Sequence, residues 1–287
     1  MNKIFVKYVE FYITNVCNLT CSECNRFNHL NFKGWQKWQD FANVYEKWSK
    51  EINLGSYSIM GGETLLNPSL YEWIDGLQKL WPNTQCKIAS NGTQLDQHKD
   101  LYEYLIKYKN SLFLQIACHN EQMYENLKNK IRNFLKKPIN EEFDDSQFKK
   151  YYFFDKNGIK IRLSQEWIFQ KNALLVDEKT KQFTLHQSNR EKAHLICWSK
   201  SCHHFDKGEL FKCAPSSLFK QVDKQFNLYL SDDDRKLIEN YKPLNVNDSL
   251  ETKKKFIKNL PNSISLCKFC PSSFARKKFY SIEKKEQ

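Results

Sequence analysis

Eight residues near the start, Cys17-Asn18-Leu19-Thr20-Cys21-Ser22-Glu23-Cys24, constrain this chain more than any other stretch. They follow the largely apolar run Tyr8 to Thr14, which reads as a buried first strand bounded by Asn15, with Glu10 its one charged interruption. Three thiols at CxxxCxxC spacing in one short loop can turn their sulfurs toward a single centre. Thiolates are soft ligands that suit zinc or an iron–sulfur cluster. The count of three matters. A structural zinc site is closed by four ligands, whereas a [4Fe–4S] cluster held by three cysteines keeps one iron open for something else. A zinc site completed by His29 or a distant cysteine is the competing reading.

Two further motifs stand at strand ends. Gly61-Gly62-Glu63 closes the run Tyr57 to Met60, about forty residues after the cysteines, and Ser90-Asn91-Gly92-Thr93 follows Cys86 to Ala89, about thirty beyond that. Glycines let backbone approach a ligand closely, and a carboxylate can accept from an ammonium in a charge-assisted bond. Read singly, each is also an ordinary turn. Together and in this order, the three motifs resemble the radical SAM superfamily. The resemblance implies that Cys17, Cys21 and Cys24 hold a [4Fe–4S] cluster whose open iron binds the amino and carboxylate groups of S-adenosylmethionine. One electron, from a donor such as flavodoxin or ferredoxin, would then cleave the sulfonium and give a 5′-deoxyadenosyl radical that takes hydrogen from a substrate. It also implies that Gly61, Gly62 and Glu63 hold the methionyl amine, and that Ser90 and Asn91 contact the ribose or carboxylate of the same ligand.

Many relatives end the fourth strand with a serine two residues before Asp or His, and here it reads Ala117-Cys118-His119. Ala117 offers no hydroxyl to a ribose. His119 can face the cavity as a polar ligand to nucleoside or substrate, or be a structural histidine; Cys118 reads as strand packing. Tyr12, Asn15 and Asn25 flank the cluster loop, where such groups shield a metal and tune its potential. Arg26 to Trp35 reads as a substrate lip or as a packed connection. Glu166 and Trp167 are candidate pocket residues.

Helical spacing of Trp38, Phe41, Val44, Tyr45 and Trp48 predicts a helix from about Gln36 to Glu51, ended by Gly55. Leu70, Trp73, Ile74 and Leu77 predict a second. Others are expected from about Lys99 to Lys109 and from Glu121 to Leu135. Strands at Tyr57–Met60, Cys86–Ala89, Leu112–Cys118 and Ile159–Leu163 alternate with these helices, which argues for an α/β fold of parallel units with ligands at the C-terminal strand ends. Five or six repeats fit, so residues 1–195 are expected to form an open, partial (β/α)6 TIM-like barrel, as the resemblance also implies. Glu141 to Phe154 shows no clear period. Leu174–Val176 and Phe183–Leu185 flank Asp177-Glu178-Lys179-Thr180 as a hairpin.

From 196 to 287 the chain changes character, with Cys197, Cys202, Cys213, Cys267 and Cys270 set among short turn-rich pieces. A hairpin is expected around Asp206-Lys207-Gly208, surface helices at Asp232–Tyr241 and Leu250–Asn259, and a lysine-rich tail. This small cysteine-rich domain resembles the SPASM/twitch extension of some radical SAM enzymes. The resemblance implies that Cys197, Cys213, Cys267 and Cys270 form one four-cysteine site for a second [4Fe–4S] cluster. A zinc ribbon has the same composition, so zinc stays open. Cys202 could take the place of Cys197. Five cysteines cannot complete the fuller two-cluster SPASM pattern, so the shorter twitch form fits. Such a cluster can accept or relay an electron, or be structural.

Ten cysteines could suggest a disulfide scaffold, but that belongs to short secreted chains, and this one has 287 residues. The N-terminus shows no apolar secretion core, and no apolar run approaches the roughly 20 residues needed to cross a bilayer. A cytoplasmic protein with reduced thiols and no membrane partner is expected. The net charge of +12 raises nucleic acid as a partner. No basic run interleaves with aromatics in a recognised motif, so that partner is not expected. The expected function is a radical-based oxidoreductase or modifying enzyme for a small-molecule substrate such as a sugar, aminocyclitol or nucleoside. A peptide-modifying enzyme is the rival, and a zinc-stabilised nucleic-acid-binding protein is the alternative from another class.

Overall fold

A computed structural model describes residues 3–145, 149–166, 168–273 and 276–278, which form two compact units. The first comprises 1–22, 28–168 and 278–287; the second comprises 23–27 and 169–277. Trp167 and the lysine-rich tail lie outside the described residues.

In the first unit the apolar run at the front of the chain is β1 (Ile4–Tyr12). It is followed by α1 (Trp38–Glu51), β2 (Ile52–Met60), α2 (Leu70–Leu80), β3 (Gln85–Ser90), α3 (Leu101–Lys107), β4 (Leu112–Cys118) and α4 (Tyr124–Phe134). Then come β5 (Ile139–Asp144), β6 (Lys150–Asp155) and β7 (Lys160–Gln165). The sheet runs β1-β2-β3-β4-β7-β6-β5, parallel through β7 and antiparallel beyond it. This is the expected largely parallel α/β sheet, with five parallel strands.

Register gives the sheet two unlike faces. Phe11, Ile59, Ile88, Leu114 and Ile161 are successive ladder partners across β1, β2, β3, β4 and β7, and all are fully buried. Their side chains share one face, because period-2 alternation keeps paired residues on one side. Aromatic side chains of the helices pack onto that face. Tyr45 meets Phe11 edge-on at 5.2 Å, and Trp73 meets Tyr45 at 5.5 Å and Trp38 at 5.1 Å. One residue along each strand, the opposite face mixes polar and charged side chains with Phe113 and Ala89. Glu10, Ser58, Lys87 and Phe113 form one row of partners; Ala89, Gln115 and Arg162 form the next.

Two strands start earlier than their apolar runs suggest. β1 and β2 pair from Ile4↔Ile52 onward, so β2 begins directly where α1 stops, and Gly55 lies inside the strand rather than ending the helix. Strands approach closely there: a Cβ on Gly55 would fall 2.7 Å from the Lys7 carbonyl oxygen. The Glu141–Phe154 segment is the β5/β6 hairpin. Its edge strand β5 buries no residue, so no face imposes a period.

The second unit resumes at Phe169, within β8 (Ile168–Gln170), and β9 (Leu174–Val176) and β10 (Phe183–Leu185) form the expected hairpin. The Asp177 carboxylate accepts from the backbone N–H groups of Lys179 and Thr180 and fixes its turn. After α5 (Arg190–Ile196), β11 (His203–Asp206) and β12 (Glu209–Phe211) form the second hairpin, turning on Lys207 and Gly208 at φ of 50° and 80°. Cys213 then caps α6 (Ala214–Phe226), a 13-residue helix where the sequence reading had only turn-rich pieces. Leu218, Phe219 and Val222 are its buried face. The surface helices are α7 (Asp232–Asn240) and α8 (Leu250–Asn259), opened by Ser231 and Ser249 as side-chain caps. Among the described residues no helix is long and apolar enough to cross a membrane.

Trp73 is fully buried among those aromatics, and its indole N–H donates to the Gln36 carbonyl at 2.9 Å. Trp73→Ala is expected to cost about 3–5 kcal/mol in urea unfolding. Trp35→Ala, at a residue 49% exposed, should change stability by no more than about 0.5 kcal/mol.

Candidate active site

The three motifs fall at the C-terminal ends of β1, β2 and β3, which are neighbours in the sheet. Their loops are bonded directly to one another. The Gly62 N–H donates to the Thr14 carbonyl and the Glu63 N–H to the Val16 carbonyl, both at 2.8 Å. A Cβ on Gly61 would lie 2.5 Å from the Thr14 oxygen; one on Gly62 would lie 2.4 Å from the Val16 oxygen and 2.8 Å from Cys17 Cβ. The glycine pair therefore makes room for the start of the cysteine loop. Sequence reasoning assigned that close approach to a ligand.

Glu63 has no exposed surface. Its Oε1 accepts from the Leu65 N–H at 2.9 Å and from Ser90 Oγ at 2.7 Å, and its Oε2 accepts from the Asn91 N–H at 2.6 Å. Burial pushes the carboxyl above its ordinary value, and these three donors pull the other way. Two oxygens offer about four acceptor sites, so the carboxylate keeps room for one more donor. The Ser90–Thr93 turn is locked in its own right: Ser90 Oγ accepts from the Gly92 N–H at 2.8 Å, and Asn91 Oδ1 from the Thr93 N–H at 2.9 Å. Gly92 sits at φ +75°, with Ile116 only 2.7 Å from a would-be Cβ.

Asn18, inside the cysteine loop, completes the junction. It donates to Thr93 Oγ1 at 2.7 Å and accepts from Asn91 Nδ2 at 2.9 Å. On the other flank, Asn28 Nδ2 donates to the Tyr12 hydroxyl and to the Asn15 carbonyl, both at 2.8 Å, while the Tyr12 hydroxyl donates to Asn15 Oδ1. Residues 28–35 lie along this edge, with Thr14 bridged to Trp35 and the Asn15 N–H donating to the Gly34 carbonyl.

At the ends of β4 and β7, His119 Nδ1 lies 3.2 Å from the Glu166 carbonyl oxygen, and burial lowers the imidazole pKa against the opposing pull of the Glu166 charge. The Glu166 carboxylate accepts from Ser164 Oγ at 2.7 Å and Gln115 Nε2 at 3.2 Å, and Arg162 donates to the Gln115 amide oxygen. Gln115, Arg162 and Ser164 escaped the sequence reading, although the alternation Leu112-Phe113-Leu114-Gln115-Ile116 marks Gln115 as facing away from the core. The Cys118 thiol donates to the Asn120 carbonyl at 3.0 Å, and burial raises its pKa to about 11, so it is an inert packing residue.

Cys17 and Cys21 belong to the first unit and Cys24 to the second. Cys197, Cys213, Cys267 and Cys270 all lie in the second unit, where α5 ends at Cys197, Cys213 opens α6, and Cys267 and Cys270 hold a single 3-10 turn. They are near neighbours. The charge of Cys197 raises the pKa of Cys213, and the charges of Cys213, Cys197 and Cys267 raise that of Cys270. Burial is the larger cause for both, and it carries Cys213 to about 12 despite its place at a helix N-terminus. Among the described residues no three His, Cys, Asp or Glu side chains converge closely enough to hold a metal ion. Neither Cys17, Cys21 and Cys24 nor the four thiols of the second unit therefore close on a common point. Four soft donors have the right chemistry for a tetrathiolate zinc or an iron–sulfur cluster, but in this structure they do not converge on one.

No family model and no curated protein matches the chain. Solved radical SAM enzymes are similar to it in structure. SuiB of Streptococcus suis bound to S-adenosylmethionine is 19% identical, over 39% of this chain and 25% of that one, with a TM-score of 0.34. Tagged anSMEcpe with bound AdoMet is 17% identical, over 45% and 40%, with a TM-score of 0.35. BtrN in complex with AdoMet and 2-DOIA is 16% identical, over 90% and 89%, with a TM-score of 0.43. The chain spans about a quarter of the length of the SuiB structure it matches. Likenesses this low in identity and TM-score carry no inference about activity, which has to come from the chain's own residues.

Glu63→Gln puts an amide where three donors converge, and one NH2 must then face an N–H or O–H. A loss of about 1–3 kcal/mol in urea unfolding is expected, with Glu63→Ala costing more. Unchanged stability in both would mean that the carboxylate does not tie these loops together.

Proposed function

We propose that the chain is a radical SAM enzyme, with Cys17, Cys21 and Cys24 holding a [4Fe–4S] cluster that has one open iron. The observation that carries this is the direct bonding of the cysteine loop to both other motifs, through Val16 to Glu63 and through Asn18 to Asn91 and Thr93. Three sequence-distant motifs brought together at adjacent strand ends make one site rather than three turns. The three-thiol loop suits a cluster that leaves a corner for a second ligand. When bound, such a cluster supplies the electron that splits the sulfonium C–S bond of S-adenosylmethionine, giving methionine and a 5′-deoxyadenosyl radical.

The chain's residues position that ligand. Glu63 offers its remaining acceptor site to the methionyl ammonium in a charge-assisted bond, with Gly61 and Gly62 shaping the backbone beside it. Ser90 and Asn91 would contact the ribose or carboxylate of that ligand, and His119 would serve as a polar ligand to nucleoside or substrate. The substrate is a small polar molecule such as a sugar, aminocyclitol or nucleoside. The hydrogen-bonded network of Gln115, Arg162, Ser164 and Glu166 on one sheet face suits polyhydroxylated rather than apolar substrates. Residues 1–195 serve as the radical SAM portion and 196–287 as a twitch-like portion, whose Cys197, Cys213, Cys267 and Cys270 hold a second [4Fe–4S] cluster that accepts an electron from the substrate radical. A flavodoxin- or ferredoxin-type protein supplies the first electron.

Anaerobic reconstitution with iron and sulfide tests this reading. About eight irons per chain are expected for two clusters, with release of 5′-deoxyadenosine under a strong reductant. Cys21→Ala should abolish that release, whereas Cys270→Ala should retain it while substrate turnover is lost. Zinc in place of iron, no cleavage of S-adenosylmethionine and salt-sensitive nucleic-acid binding would replace the enzyme with a zinc-stabilised binding protein.

A further inference from the structure

Lys160 and Arg162 stand two residues apart on β7, so their side chains leave the same face of the sheet, the one opposite the aromatic core. Among the described residues neither forms an ion pair. Arg162 is half-buried, and its guanidinium lies 5.6 Å from the centre of the Phe113 ring. One of its Nη groups donates to the Gln115 amide oxygen; the other has no acceptor, and the Nε–H is out of solvent without one. Lys160 is exposed but folds over β6, its ammonium 4.7 Å from the Tyr152 ring centre and 5.6 Å from that of Phe154. Phe154 is its own ladder partner and Tyr152 is that of Arg162, so the lysine leans toward the neighbouring cation. Carboxylates on this side are used otherwise. Glu166 accepts from Ser164 and Gln115, Asp144 pairs with Lys150 at 3.8 Å, and Glu142 stands on the edge strand opposite Tyr152.

We infer that Arg162 and Lys160 form an anion seat, and that the substrate carries a carboxylate or phosphate group that sits there. The seat stands on these side chains alone; that its occupant is the substrate rests on the radical SAM reading proposed above. Two cations side by side on one strand repel each other, and stacking on aromatic rings answers that only in part. An oxyanion between them removes the repulsion. The guanidinium fork matches two oxygens of a carboxylate or phosphate, and the ammonium adds a point charge. A small turn of the guanidinium toward that anion also gives the orphaned Nε–H an acceptor. Arg162 shares its ladder row with Gln115 and Ala89, and Ala89 immediately precedes Ser90. Two strand spacings, about 10 Å, therefore separate the seat from the strand end proposed to hold S-adenosylmethionine. A sugar or nucleoside anchored at Arg162 by its anionic group reaches back over the Ala89 methyl toward that end, whereas a neutral one leaves both cations unanswered.

Equilibrium binding of glucose 6-phosphate, glucuronate and glucose to the full chain at low salt tests the seat, and none of the three needs a loaded cluster. One of the anionic sugars should bind about tenfold tighter than glucose or better, as hydrogen bonds to charged groups predict. Which of the two does so separates phosphate from carboxylate recognition. Arg162→Gln should abolish that preference while glucose affinity stays within about twofold, and Lys160→Gln should weaken the same anionic sugar to a smaller extent. A parent chain without the preference overturns the inference, as does an Arg162→Gln chain that keeps it or loses glucose equally. Unchanged binding of the anionic sugar in Lys160→Gln also overturns it, and that exposed change stays informative even where Arg162→Gln does not fold. A chain that takes up iron and releases 5′-deoxyadenosine but shows no preference loses this inference alone. A chain that shows the preference but takes up no iron keeps the anion seat and loses the radical SAM reading, and with it the link from seat to substrate.

Discussion

One buried carboxylate organises the first unit. Glu63 arrives at the end of β2 with no solvent to stabilise its charge, and its two oxygens are met by Leu65 in its own loop and by Ser90 and Asn91 at the end of β3. Its own N–H reaches Val16, at the end of β1. Desolvating a carboxylate costs several kcal/mol, and only well-aimed donors offset that. The three strand ends are consequently fixed with respect to one another by a group that tolerates little misplacement. A site that must orient a flexible ligand needs its walls set before the ligand arrives, and the bonding around Glu63 does that without using solvent-exposed contacts.

The second unit handles charge in the opposite sense. Its clustered cysteines are thiols that burial pushes toward the neutral form. Cys213 shows which force wins. A helix N-terminus ordinarily favours the thiolate, yet desolvation outweighs it and the pKa rises to about 12.

Much of this was legible in the sequence because the governing patterns are local. β4 reads at its observed bounds, since Leu112, Leu114, Ile116 and Cys118 alternate with less buried residues. The hairpin at Lys207-Gly208 is legible because only certain residues accept positive φ in succession. α6 was missed, since Cys213 drew attention as a ligand while its role as a helix cap went unread, although Pro215 and the 218–219–222 spacing were there to see. The early starts of β1 and β2 come from each strand stabilising the other, which no window on one strand contains. Gln115 is distant in sequence from Arg162 and Glu166 and meets them only through the β4–β7 register.

The unlike faces of the sheet divide the labour of evolution. Residues such as Phe11, Ile59, Ile88, Leu114 and Ile161 answer to the helices and resist exchange, whereas their immediate neighbours on each strand answer to whatever occupies the opposite side. Every second residue could therefore vary while the hydrophobic scaffold stays untouched.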